Sequence, residues 1–410
     1  MVALVAIAAA TFAHYFRESV FDVLHFFSGA RSAPTAIREN PRWAAAVIIA
    51  AALAVAATIG WVAARWRGER LGIQILADAT NDTGPGPSLR ATLLRSSGTW
   101  VGSAAGASFG RESAILETGG ALGHVVGRRT FGWSPAITAA GVAAAFASAY
   151  HAPLAAAVYV ERHLGVRGRR RATVYTLLGA AAGHAATLVF FDGHALFPGP
   201  LGSPWGSAQL AALGVVPAVV GSRLFLALRE RFTGHERTPP SHPWALRAMF
   251  VAVAGGVVVA FPLAAGNGME ALREGAVRTT IAMAFALGIA KVLATVAALA
   301  AGVPGGSFSP SLAVAGGWAL AAFIGLEALG VHLGEASWDG MLTAMAVGVA
   351  IGLRAPILGA VAVAEMAGDY RLLPLTAATV LVAIIIDHLI DRRMARFGGS
   401  DHDLLRNDDG

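Results

Sequence analysis

Long apolar runs alternate along the chain with short polar links, and the lengths of the runs predict the elements. Stretches at about 43–65, 170–191, 206–228, 244–264, 276–302 and 376–390 are each long enough, as helices, to cross roughly 30 Å of hydrocarbon. Between them lie apolar pieces that are shorter or broken by Gly and Pro, at 88–109, 111–127, 134–150, 153–164, 308–329, 341–353 and 356–367. So many interrupted segments predict discontinuous helices that meet inside the protein. Loose backbone at membrane depth survives only where it is buried or lines a cavity, as in a transporter or channel. Met1 to Ala10 carry no basic stretch and no clear cleavage site, and their apolar pattern runs on past Tyr15, so they do not read as a signal peptide.

Composition strengthens the membrane reading. Of 410 residues, 56% are hydrophobic and only 14% charged, against about 25% charged in a soluble domain. A chain this poor in charge cannot clothe a water-facing surface. Its cysteine count of 0 excludes a disulfide scaffold, a thiolate metal site and cysteine catalysis together. The net charge is +6, and Lys291 is the single lysine among many arginines. The bases gather between apolar runs: Arg65, Arg67 and Arg70; Arg167, Arg169, Arg170 and Arg171; Arg392, Arg393 and Arg396. That placement suits cytoplasmic loops facing anionic lipid and not a nucleic-acid partner. The tail 398–410 is polar and reads as a disordered end.

Self-similarity carries the most information. Arg95 precedes Glu112 by 17 positions, and Lys291 precedes Phe308 by the same 17. Each interval ends in a glycine-rich break, Gly110-Arg111-Glu112-Ser113 and Gly305-Gly306-Ser307-Phe308-Ser309-Pro310. Farther on, His151-Ala152-Pro153-Leu154 with Glu161 is echoed by Arg354-Ala355-Pro356-Ile357 with Glu365. The offsets are 196 and 203 residues, which predicts two repeats, 1–200 and 201–397. Inverted repeats place corresponding broken helices face to face near the membrane midplane. Helix N-termini brought together there form an anion site, each carrying about half a positive charge and several unpaired N–H donors. The predicted substrate is a small inorganic anion, with no cofactor and no metal required.

At these residues the chain resembles the CLC family of chloride channels and proton-coupled chloride transporters. The family pattern G-[KR]-E-G-P is met in part by Gly110-Arg111-Glu112-Ser113-Ala114, and G-x-F-x-P in full by Gly306 to Pro310. Arg354-Ala355-Pro356 with Glu365-Met366 matches a later family stretch. The resemblance implies an all-α polytopic fold of two inverted repeats, a homodimer with a pore in each subunit, Glu112 as the gating glutamate, and backbone donors around Ser307 and Phe308. Two departures bear on mechanism. Where the family has G-S-G-I-P, the local counterpart is Leu71-Gly72-Ile73-Gln74, so Gly72 and Ile73 are the expected backbone donors without a serine. No tyrosine follows Tyr370, so the family's second hydroxyl donor is absent as well. In proton-coupled members an inner glutamate stands ten residues beyond the A-P-L proline; that count from Pro153 reaches His163, with Glu161 two positions earlier. His163 and Glu161 are therefore candidates for a proton path, the alternative being that coupling is lost.

Other residues have plainer readings. Glu117 shares an apolar segment with Glu112 but sits about 140° away round the helix, so hydrogen-bonded structure is expected of it. Glu365 is expected to pair with Arg354 or to cap a turn. Arg95 and Lys291 either neutralise buried dipoles or snorkel to the interface. For His163 the plainer reading is an interfacial histidine. Gly106-Ala107-Ser108-Phe109-Gly110 fits the nucleophile pattern G-x-S-x-G, so an intramembrane serine protease is one rival; a scaffold that has lost transport is another. The motif lies in a run of small residues, which more often serves close helix packing. The reading is chloride or similar anion transport in a bilayer, the expected host being the bacterial inner membrane, with uncoupled conduction and fluoride export as sub-rivals. Fluoride ranks lower because its branch resembles G-G-E-V-T-P, and Ser307 stands where that glutamate would be.

Overall fold

The computed structural model describes residues 1–67, 72–129, 133–166, 170–191, 193–198, 204–233, 242–278, 280–333 and 336–398. Leu71, Arg70, Arg167, Arg169 and the tail from 399 onward lie outside them.

Helices supply nearly all of this structure, as an all-α polytopic membrane protein requires when lipid cannot satisfy backbone groups. Six described helices are long and apolar enough to cross a membrane: Arg42–Arg65, Arg170–Phe190, Gly206–Thr233, Ile281–Ala300, Phe308–Ala328 and Tyr370–Arg393.

Three sequence expectations need correction. The 308–329 piece, counted among the broken ones, forms one continuous helix, Phe308–Ala328. Pro310 sits in its first turn, where no intrahelical N–H partner is lost. Its apparent break at Gly316-Gly317 is a packing face against Leu272, Leu287 and Met345. The stretch at 244–264 is helical only over Trp244–Ala260, and a short 3-10 turn follows at Pro262–Ala264. The chain also opens on a helix, Val2–Ser28, that the apolar-run pattern did not delimit.

The repeat is visible in the backbone. Leu89–Ala104, Glu112–Gly127, Ser134–Tyr150 and Pro153–Val158 recur as Ile281–Ala300, Phe308–Ala328, Ala336–Gly352 and Pro356–Met366. The links before the two prolines repeat in detail. His151 and Arg354 are left-handed, at φ 54° and 53°, and the next residues, Ala152 and Ala355, share φ near −128° (−127° and −128°). In each repeat the helix that begins at a glycine-rich break packs on the next helix along. Gly119 and Gly141 sit at one such crossing, so close that a Cβ on either would strike the other's backbone. Where the repeats meet, Gly110 and Gly306 exchange two backbone hydrogen bonds of 2.9 Å in an antiparallel bridge. That bridge brings the N-termini of Glu112–Gly127 and Phe308–Ala328 to one place.

Candidate functional site

The helix beginning at Glu112 has an acid in its first turn, favoured by the dipole. The Gly110–Gly306 bridge turns that acid toward the second half. Glu112 is 5% exposed. Its Oε1 accepts the backbone N–H of Phe308 at 2.7 Å. Its Oε2 accepts from the Ser309 hydroxyl at 3.2 Å and the Tyr150 hydroxyl at 3.3 Å. The carboxylate thus lies across the start of the Phe308–Ala328 helix, where an anion would be drawn.

Gly72, Ile73, Glu112, His163, Ser307 and Phe308 all line one cavity of about 760 Å³. Gly72 adopts φ 60° just before the helix Ile73–Asn81, a conformation that glycine takes at no steric cost. Ser307 meets the site through its side chain as well: Arg229 donates from Nη1 to its Oγ at 2.9 Å. His163 closes a π-helical turn, Tyr159–His163, and its ring lies 5.1 Å from that of Tyr159. It stands on the cavity wall. Glu161 is not among the cavity's lining residues, and its Oε1 is buried without a hydrogen bond.

The neighbouring charges are placed by pairing. Arg95 grips Glu117 through Nε and Nη2, at 2.8 and 3.1 Å, and both line the cavity. Lys291 does not snorkel. It is 0% exposed, and its ammonium donates to the carbonyls of Gly266 and Ala264 at 2.6 and 3.1 Å. Arg111 pairs with Glu270 at 3.2 Å, and Glu270 also accepts the Ala33 amide at 3.0 Å.

Glu365 does not pair with Arg354, whose guanidinium meets Glu230 at 2.9 Å. Instead Glu365 caps another helix: it accepts the amides of Leu154 and Ala155 at 3.0 and 2.7 Å, and the Tyr370 hydroxyl at 2.7 Å. Ser108 shares a hydrogen bond of 3.0 Å with Thr295. Among the described residues the partner of its hydroxyl is that threonine and not a histidine base. Among the described residues no group of three or more His, Cys, Asp or Glu could hold a metal ion.

Sequence reasoning missed Tyr150, Arg229 and Glu270. None sits in a spacing pattern; each reaches the site only because distant helices cross.

The family described as voltage gated chloride channel matches residues 51–388. A relative from Citrobacter koseri, a voltage-gated ClC-type chloride channel ClcB, is 28% identical over 74% of this chain and 73% of its own. The H(+)/Cl(-) exchange transporter ClcA of Cronobacter sakazakii is 28% identical over 69% of this chain and 63% of its own. Among solved structures, a slow cyanobacterial Cl-/H+ antiporter superposes with a TM-score of 0.76 at 20% identity, covering 95% of this chain and 93% of the other. A CLC-type fluoride/proton antiporter gives 0.70 at 18% identity, covering 94% of both chains.

Proposed function

As this chain belongs to the voltage gated chloride channel family, a family of transporters and channels and not of enzymes, we propose that it carries chloride or a similar small inorganic anion across a membrane, gated by Glu112. The observation that carries this reading is the 2.7 Å hydrogen bond from the Phe308 amide to the Glu112 carboxylate. A carboxylate and a small anion compete for the same N–H donors and the same dipole. With Glu112 ionised the place is filled. Protonation removes the negative charge, and the neutral side chain yields to an incoming anion. Gly72, Ile73 and Ser307 then stand along the same cavity as backbone or hydroxyl partners. The cavity's wall includes Arg65, in a cluster that the positive-inside rule puts on the cytoplasmic side, so the cavity serves as the inner vestibule.

A coupled form of this reading has its own support. His163 and Glu112 line one cavity, and an imidazole can both accept and donate a proton. Water in the vestibule would complete the route to Glu112, with the Glu161 carboxylate two positions from the relay. The absence of an inner glutamate at position 163 favours weak or no coupling.

A homodimer with a pore in each subunit is part of the same proposal. The bacterial relatives suit an inner membrane.

The test is efflux of chloride and of fluoride from liposomes holding the purified protein, with pH recorded in the same vesicles. Chloride release that depends on Glu112 is the expected result. No anion release from the wild type would remove the transport reading. Proton movement driven by a chloride gradient would establish exchange, and its absence would establish conduction.

A further inference from the structure

Three consecutive residues at the start of the gate helix reach across to the second half of the chain. Gly110 bonds to Gly306, and Glu112 takes the Phe308 amide. Between them Arg111 reaches a different partner: its Nη2 donates to Glu270 Oε1 at 3.2 Å. Its guanidinium lies 4.8 Å from the centre of the Phe21 ring, and its buried Nη1 has no hydrogen-bond partner among the described residues. Glu270 is fixed from several sides. It stands in the first turn of Met269–Arg278, whose first amide is capped by Asn267. Its Oε2 accepts the Ala33 amide at 3.0 Å. The loop leading into it is held by the Lys291 ammonium on the carbonyls of Ala264 and Gly266, and by the Gly266 amide on the Gly106 carbonyl.

We propose that Glu270 is a positioning residue for the gate: it holds the Arg111 guanidinium on its own carboxylate and offsets its charge, and so sets the pH range over which Glu112 opens. The proposal rests on Glu112 being the gate and adds a second carboxylate that tunes it. Arg111 is a permanent cation one residue from the gate. An unmatched cation beside a carboxylate favours its charged form. A guanidinium fork with donors to spare is also a strong partner for any carboxylate in reach. Without Glu270, both effects would keep the gate shut until the medium became more acidic. With Glu270 in place the fork is engaged elsewhere and its charge is balanced.

The remaining charges around Glu270 act in the same sense. Lys291 faces it from Ile281–Ala300 and Arg273 from its own helix, while Arg17, on the opening helix, faces Arg273. Ala33–Glu39 carries its ionisable side chains, Arg38 and Glu39, at its far end. Phe308–Ala328, which packs on the Glu270 helix, carries Glu327 in its last turn. Glu270 thus stands among the cations Arg111, Lys291 and Arg273. Lys291 feels Glu270, Arg111 and Glu112 together, so this cluster and the gate share one field.

The test is the pH profile of chloride efflux from liposomes with wild type, Glu270→Gln, Glu270→Asp, Arg111→Gln and the Glu270→Gln, Arg111→Gln double variant. Glutamine keeps the shape of Glu270 and an acceptor for the Ala33 amide, and removes the charge. Loss of that charge leaves Glu112 easier to ionise, so more acid is needed to open it. The expected result is an efflux midpoint lowered by about one pH unit in Glu270→Gln, raised in Arg111→Gln, and close to wild type in the double variant. Glu270→Asp retains the charge and should keep the wild-type midpoint, a distinction that a purely structural role would not make. An unmoved midpoint in Glu270→Gln, with efflux intact, overturns the proposal and leaves the gate standing. Wild-type efflux that does not respond to pH overturns the gate reading itself. If Glu270→Gln fails to reach the membrane as folded protein, Arg111→Gln and the double variant decide, and equal midpoints in those two overturn the proposal.

Discussion

Glu112 and Phe308 are 196 residues apart in sequence, yet the amide of one lies 2.7 Å from the carboxylate of the other. The contact exists because each residue begins a helix just past a glycine, and those two glycines are hydrogen-bonded to each other. Acid, dipole and cavity thus meet at the seam between the repeats, and several outcomes follow from that placement.

Glu112→Gln keeps the size of the gate and removes its titration. Wild-type chloride efflux should rise as pH falls, because protonation frees the donors. The variant should release chloride at a rate that is flat between about pH 5 and 8. A glutamine variant that kept the full wild-type pH profile would show that another group gates the path.

Gly306→Ala should act on the same gate from the other repeat. A Cβ there would fall within van der Waals contact of the Glu112 side chain. The flexible carboxylate is the part able to move, so it should be pushed from its donors. Efflux should then lose most of its pH dependence with residue 112 still glutamate. Retention of a wild-type profile would mean the backbone gives way instead.

Arg95 and Glu117 should be coupled in stability. The pair is largely buried, with side-chain exposures of 13% and 4%. Removing one partner strands a charge and should cost about 3–5 kcal/mol. Arg95→Leu and Glu117→Leu should each lower the Tm in detergent, and the double variant should recover much of the loss. Additive losses would show that the two side chains act independently.

Lys291→Met should destabilise the fold although methionine nearly matches the stem in volume. The ammonium donates to the carbonyls of Ala264 and Gly266. Without it, two buried acceptors lose their partner, at about 1–3 kcal/mol each, partly offset because no charge need be buried. A drop in Tm of several degrees is the expected reading, and an unchanged Tm would mean the carbonyls find other donors.

Much of this was legible in the chain and some was not, for physical reasons. The meeting of Glu112 with Phe308 could be read because the residues that shape it are glycines and prolines at fixed offsets. The helix Phe308–Ala328 was misjudged because Pro310 and Gly316-Gly317 look like breaks in a string of letters. A proline in a first turn interrupts nothing, and glycines can be packing surfaces. The opening helix was not delimited because Arg17, Glu18 and Asp22 interrupt its apolar run; Arg17 and Glu18 satisfy each other at 3.2 Å. Tyr150 and Arg229 had no signal. Each touches a residue far away in sequence, the tyrosine Ser309 and the arginine Ser307, and only helix crossings create such contacts.

The Gly110–Gly306 bridge has one more consequence. Its two bonds are made by peptide groups, which substitutions at the surrounding positions leave in place. Ancestry can therefore rewrite the hydroxyls, cations and rings around the gate, retuning which ion is welcome, while the suture that locates the gate endures.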